Sequence, residues 1–202
     1  MFETAELERK VTKRDFKMQV PGLRTELLKV QQELRREKRF QVMIVLGGVD
    51  GAGKSEMANT LSDWMDPRGI ATHEFGPPTE DERERPEYWR YWKTLPPKGD
   101  IAIYIGAWYS RSLLDNAYER TGLDTYDRDL SRIVAFEREL VNDGVLILKF
   151  WMHLGKKAQK RRLDALEKDP LTRWRVTDRE KKNWAIYDRF EVASDRLIHK
   201  TN

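Results

Sequence analysis

Eight consecutive residues, Gly48-Val49-Asp50-Gly51-Ala52-Gly53-Lys54-Ser55, satisfy the phosphate-loop pattern G-x-x-x-x-G-K-[ST] at every fixed position. These residue types suit one task. Glycines at 48, 51 and 53 let the backbone curl so that successive N–H groups point into one concavity, a site for an anion. A helix opening at the end of the loop adds partial positive charge, and Lys54 is long enough to reach the outer phosphates. Ser55 brings the hydroxyl that such loops ordinarily place on Mg2+. The plain alternative is a glycine turn that matches by accident, and the flanking sequence argues against it.

Before the loop, Val42-Met43-Ile44-Val45-Leu46 is an apolar run of strand length; after it, Met57, Leu61, Trp64 and Met65 recur as a helix face. Strand, glycine turn and helix start are the context that the motif needs. Further core strands are predicted at about 71–75, 101–105 and 145–151, with the first at about 41–47. The last is almost continuously apolar, as expected of a strand covered on both faces. Helices separate the strands, one carrying Ile133, Phe136, Leu140 and Val141 inward and ending at Gly144. The alternation predicts an α/β fold with a parallel, doubly wound sheet, one P-loop domain over 41–202. Residues 1–20 read as a loose arm, and Pro21 as the opening of a helix with Leu23, Leu27, Val30 and Leu34 on one stripe. Arm and helix, 1–40, are expected to pack on the core. A closing helix is predicted at about 178–199, with Ile186, Phe190, Ala193 and Leu197 in step.

Among 202 residues there is no cysteine, so disulfides and thiolate metal sites are excluded. His73, His153 and His199 are scattered and read as structural or solvated. The N-terminus is charged throughout, and no apolar run approaches membrane-spanning length, which points to a soluble cytoplasmic protein without a membrane partner. A net charge of +4 is mild, and matters only where it is concentrated.

Three segments stand outside the core. Residues 77–99 interleave prolines with Tyr88, Trp89, Arg90, Tyr91, Trp92 and Lys93, suited either to wrapping an acceptor or to a rigid loop whose rings pack down. Residues 156–175 carry a local charge of +5, more than the chain's whole excess. A solvated helix face explains such a run, but its place after the fourth strand, where nucleotide kinases carry a mobile lid, favours closure over phosphates across about 156–177. The third strand ends Ile105-Gly106, where P-loop enzymes usually end in an aspartate that holds Mg2+.

Several motifs then occur in order: GVDGAGKSE at 48–56, MDPRG at 65–69, WRYWKTLPPKGDI at 89–101, WYSR at 108–111, FERELVNDG at 136–144, ILKFWMHL at 147–154 and KDPLTRWRVT at 168–177. Together they resemble the family-2 polyphosphate kinases, P-loop phosphotransferases that move phosphate between inorganic polyphosphate and nucleotides. The resemblance covers nearly all of the chain beyond the N-terminal helix. It implies a loop aspartate at Asp50 that orients acceptor or metal, and a lysine at Lys54 on the transferring phosphoryl group. Arg68, Arg90 and Arg111 correspond to arginines lining the phosphate channel, with Arg111 near the chemistry. Glu137 falls on an acidic position at the metal or acceptor site, Lys149 on a basic one, and Arg173-Trp174-Arg175 on the lid. The implied cofactor is Mg2+ or Mn2+, held by Asp50, Ser55 and Glu137; the implied partners are polyphosphate and AMP, ADP or GDP.

Two departures from that family stand out. Asp-Arg-Ser-Trp-Tyr is replaced by Ile105-Gly106-Ala107-Trp108-Tyr109, which removes the metal carboxylate and its neighbouring arginine; Ser55 stands where many members have glycine. The departures are similar to the N-terminal half of tandem polyphosphate:AMP phosphotransferases, so a second homologous domain or a homo-oligomer is expected. Three readings remain open. One is a polyphosphate-dependent kinase domain, acting on AMP; another is a domain that binds polyphosphate or supports assembly without catalysis. The third is an ATP-dependent nucleoside monophosphate kinase, which long polyphosphate should fail to compete with. Nucleic-acid binding is not expected, because no recognition module accompanies the basic segment.

Overall fold

Four apolar runs become the strands of one sheet: β1 (Val42–Gly48), β2 (Ile70–Glu74), β3 (Ile101–Ile105) and β4 (Leu146–Met152). In this computed structural model, which describes Phe2, Glu6 and residues 10–202, all pairings are parallel and the spatial order is β2-β3-β1-β4. Ile44 lies between Ile103 and Leu148, which fixes the register of the centre. Parallel strands need crossovers, and the helices supply them. These are α1 (Lys13–Glu37), α2 (Lys54–Trp64), α3 (Glu80–Arg83), α4 (Trp89–Trp92), α5 (Tyr109–Ala117), α6 (Leu123–Asn142), α7 (Lys156–Lys168), α8 (Asp178–Ala185) and α9 (Tyr187–Thr201).

Alternation along the strands divides the core in two. Val42, Ile44, Leu46, Ile101, Ile103 and Ile105 face α2 and α1, meeting Ala58, Met65 and Leu34. Met43, Val45, Ala102 and Tyr104 face the other way, onto α5, α6 and α9. There Tyr126, Leu130, Ile133 and Leu140 of α6 are essentially inaccessible. Truncating one such leucine to alanine costs about 2–5 kcal/mol. No helix among the described residues is long and apolar enough to cross a membrane.

The structure departs from the sequence reading at four places, and decides between two readings at a fifth. α1 starts at Lys13, where Thr12 accepts from the Asp15 backbone N–H as N-cap, and it runs straight through Pro21. Proline there forfeits one backbone bond, a loss that long flanking stretches of good helix formers can absorb. The rest of the expected arm, residues 1, 3–5 and 7–9, lies outside the described residues. Leu27 and Leu34 turn inward, but Leu23 and Val30 are exposed, as is Val141 on α6. β4 is an edge strand, not a central one, and Leu146, Leu148 and Phe150 stand exposed on the α2 side. The closing helix is two helices, α8 and α9, broken at Ile186. Within 77–99 the rings pack down: Tyr88 stacks on Phe136 at 4.4 Å and Tyr91 is buried, while Trp92 stays part-open.

Candidate functional site

β1 delivers the chain to Gly48 at the C-terminal edge of the sheet, where ligands of open α/β folds bind. Gly48, Gly51 and Gly53 all have positive φ, at 126°, 75° and 98°. At Gly48 a Cβ would lie 2.0 Å from the Met152 carbonyl oxygen of β4, so no other residue fits. Gly53 then caps α2 without any side-chain hydrogen bond, leaving the first N–H groups of an 11-residue helix for a ligand. Lys54 Nζ donates to the carbonyls of Gly48 (2.8 Å) and Val49 (2.9 Å), closing the loop upon itself. Burial lowers the Lys54 pKa, opposed by the negative charge of Asp50. Ser55, next in the helix, is exposed.

Asp50 is held by residues far away in sequence. Asn183 of α8 donates from Nδ2 to Asp50 Oδ2 at 2.7 Å, and Gln159 of α7 donates to the Asp50 carbonyl at 2.9 Å. Tyr118 donates its hydroxyl to Asn183 Oδ1 at 2.6 Å. An ionised carboxylate only accepts, so Asn183 must present its NH2 to Asp50, and its oxygen is then left for Tyr118. Sequence reasoning missed Asn183, Gln159 and Tyr118. No spacing rule links positions 50, 118, 159 and 183, because only the fold brings them together.

The basic segment leans over this loop. Arg162 of α7 pairs with Glu56 at 2.8 Å, and Arg175, on a short 3-10 turn with Arg173 and Trp174, approaches the same carboxylate at 3.5 Å. Both arginines are thereby gathered at the start of α2, and Arg173 is exposed beside them in sequence. Arg111 sits in the first turn of α5, at the same edge of the sheet, exposed and only 3.9 Å from Asp115.

Four expected residues are not drawn to the cradle. Arg68 precedes β2 and follows α2, so it lies at the opposite edge of the sheet, gripping Asp66 with two nitrogens and holding its carboxyl at about 2. Arg90 is at the correct edge but is spent on the Gly76 carbonyl (3.0 Å) and Glu82 (3.5 Å). Glu137 is buried, accepting from Trp108 Nε1, the Tyr109 hydroxyl and Lys149. Lys149 also donates to the Thr201 carbonyl. Glu137 is thus buried and partnered, while Lys149, paired with it at 3.1 Å, stays exposed.

At the cradle, Asp50 and Ser55 carry hard oxygen groups that could hold Mg2+ with phosphate oxygens and water completing the shell. Glu137 makes its contacts with Trp108, Tyr109 and Lys149 instead. Ile105 is 7% exposed and packs in the core. Gly106 has φ of 64°, and a Cβ there would meet the Phe75 carbonyl at 3.0 Å, so the loss of the arginine at 106 goes with a left-handed backbone. His153, read as structural, bonds Glu6 at 2.9 Å and lies within one group with Glu191 behind the loop.

A family model described as Polyphosphate kinase 2 matches residues 10–202. A Pseudomonas aeruginosa protein named polyphosphate:AMP phosphotransferase is 41% identical over all 202 residues, which span 41% of its length. A crystal structure from Pseudomonas aeruginosa superposes with a TM-score of 0.87 at 38% identity, covering all of this chain and 41% of that one. The structure of polyphosphate kinase 2 from Arthrobacter aurescens gives a TM-score of 0.89 at 24% identity over 97% of this chain and 71% of that one, a likeness of fold.

Proposed function

The chain belongs to the polyphosphate kinase 2 family, and from that premise we propose that it is a polyphosphate-dependent nucleotide kinase domain, passing a terminal phosphoryl group from polyphosphate to AMP. The observation that carries this reading is the loop of three positive-φ glycines with Lys54 beneath an arginine-bearing cover. The acceptor's phosphate oxygen attacks the terminal phosphorus in line. The anhydride P–O bond breaks, and its electrons leave on the shortened polyphosphate. Lys54, Arg111, Arg173 and Arg175 offset the charge on the equatorial oxygens, and the lid excludes water that would otherwise take the phosphoryl group. Asp50 and Ser55 would hold Mg2+ or Mn2+, which supplies charge neutralisation between the phosphates. Lys54 must leave the loop carbonyls to do this, exchanging two neutral acceptors for anionic ones. A cytoplasmic setting goes with these substrates.

A second reading keeps polyphosphate binding and drops the chemistry, and buried Ile105 at the metal position favours it. The assay is ADP formation from polyphosphate, AMP and Mg2+. The kinase reading expects turnover that falls about 10²–10³-fold in Lys54→Ala. Polyphosphate binding without any ADP leaves the binding reading standing; loss of both removes the cradle itself.

A further inference from the structure

Behind the loop, three segments far apart in sequence bring metal-ligating atoms together. His153 follows the end of β4, Glu191 lies in α9 and Glu6 belongs to the N-terminal arm. His153 Nε2 is 2.9 Å from Glu6 Oε1, and one ligand atom from each of the three residues lies within 4.8 Å of the others. Ligands at right angles on bonds of about 2.1 Å sit about 3.0 Å apart, so the histidine–glutamate spacing matches a coordination edge. A hydrogen bond has the same length, and the surroundings decide between the two.

His153 is not satisfied as a packing residue. Its side chain is 5% exposed, yet Nδ1 is sealed from solvent without a hydrogen-bond partner. Buried polar atoms are nearly always bonded, so a histidine kept for structure alone would have both nitrogens engaged. Phe2 stacks flat on the ring at 4.3 Å, which leaves Nε2, facing Glu6, as its polar outlet. Glu191 is half-buried and makes no hydrogen bond or ion pair among the described residues. Lys156, just along the chain from His153, is taken by Asp188 at 2.7 Å. Two carboxylates this close repel, and one imidazole carries at most a single positive charge against them. Both are felt at Tyr187, whose hydroxyl pKa is raised first by burial and then by Glu191, Glu6 and Asp188. Gly155 clears the space: a Cβ there would lie 2.7 Å from Glu6 Oε1. Its φ of −62° suits any residue, so it is the missing side chain that admits the carboxylate.

We propose that His153, Glu6 and Glu191 hold a divalent transition-metal cation, Zn2+ by donor type, which ties the N-terminal arm to the end of β4 and to α9. One imidazole nitrogen and two carboxylates suit Zn2+ better than Mg2+, and a water completes four ligands. Coordination through Nε2 replaces its hydrogen bond to Glu6, and the cation cancels the charge that the two carboxylates leave unbalanced. The clamp sits one residue beyond Met152, whose carbonyl accepts from the Val49 N–H at 3.1 Å, and just ahead of α7. It therefore braces the phosphate loop from behind and anchors the base of the basic segment. The site shares no residue with the cradle and does not depend on phosphoryl transfer.

Zn2+ alone is the probe, added to the purified chain without phosphate while a chromogenic zinc chelator competes for the ion. Wild type is expected to take up one equivalent, and Glu191→Gln and Glu6→Gln to bind at least about tenfold more weakly. Zn2+ should also raise the thermal midpoint of wild type, as binding to the folded chain requires, and both variants should lose most of that rise. Because Glu191 has no partner to lose, Glu191→Gln in excess chelator should melt at or above the wild-type temperature, which separates a lost ligand from a lost fold. Uptake by both variants within twofold of wild type marks an ion held elsewhere, on His199 and Asp195 for example, and overturns the proposal. A wild type that leaves the chelator's zinc untouched overturns it as well.

Discussion

Asn183 has one amide, and both of its ends are taken: Tyr118 occupies the oxygen, and Asp50 the nitrogen. Asn183 donates the side-chain hydrogen bond that the Asp50 carboxylate receives, and so sets where that charge points. A hydrogen bond to a charged group is worth about 1.5–3 kcal/mol, so Asn183→Ala should lower kcat by about 10- to 100-fold. On the proposed reading, in which Lys54 and the arginines bind polyphosphate, its KM should move by less than about threefold. Asn183→Asp gives a sharper readout: a second carboxylate against Asp50 disfavours its ionised form and should push the acid limb of the pH profile upward. A general loss of folding would not move that limb. The loop itself was legible in the sequence because its requirements are local; Gly48, Gly53 and Lys54 are read from spacing alone. That Glu137 and Lys149 pair with each other was not legible, because a motif says which residues recur, not which of them meet in the fold.

Between residue and molecule, the turn from α2 to β2 shows how elements are tied. Gln31 of α1, fully buried, donates to the Asp66 carbonyl at 2.8 Å and accepts from the Asp66 N–H at 2.7 Å, pinning α1 to this turn. Asp66 also caps the 3-10 turn Pro67–Gly69 and grips Arg68, which holds its carboxyl at about 2, below the ordinary 3.8. A depressed carboxylate stabilises the fold above its unfolded pKa and loses that contribution as pH falls toward the folded value. Urea midpoints should therefore drop more steeply between pH 4 and pH 2 for wild type than for Asp66→Asn, measured by circular dichroism. Parallel slopes would show the pair to be idle. Strand positions were readable from apolar runs to within a residue or so, but strand order was not. β4 looks like a central strand because Leu146–Met152 is apolar on both faces. Composition cannot say that the sheet stops there.

At the scale of the whole molecule, the basic segment and α2 meet through Glu56, which Arg162 and Arg175 share. On the proposed reading, polyphosphate competes for those arginines. Exposed pairs are worth about 0.2–1 kcal/mol each, so Glu56→Gln should bind polyphosphate about two- to tenfold more tightly. The affinity should also fall steeply with salt, by about ten- to fiftyfold from 50 to 200 mM if three or four phosphates are contacted, by analogy with single-stranded nucleic acids. Fluorescence anisotropy of a labelled polyphosphate reads both effects, and a flat salt response would show that the charged lid never reaches its ligand. Leu146, Leu148 and Phe150 meanwhile line up along the outermost strand, on a side where parallel sheets are normally roofed by a helix. Water beside that strip is held against hydrocarbon, a standing penalty of roughly 25 cal/mol for every Å² left bare. The folded chain thus carries, on the flank farthest from β2, a permanent thermodynamic incentive to press against something greasy.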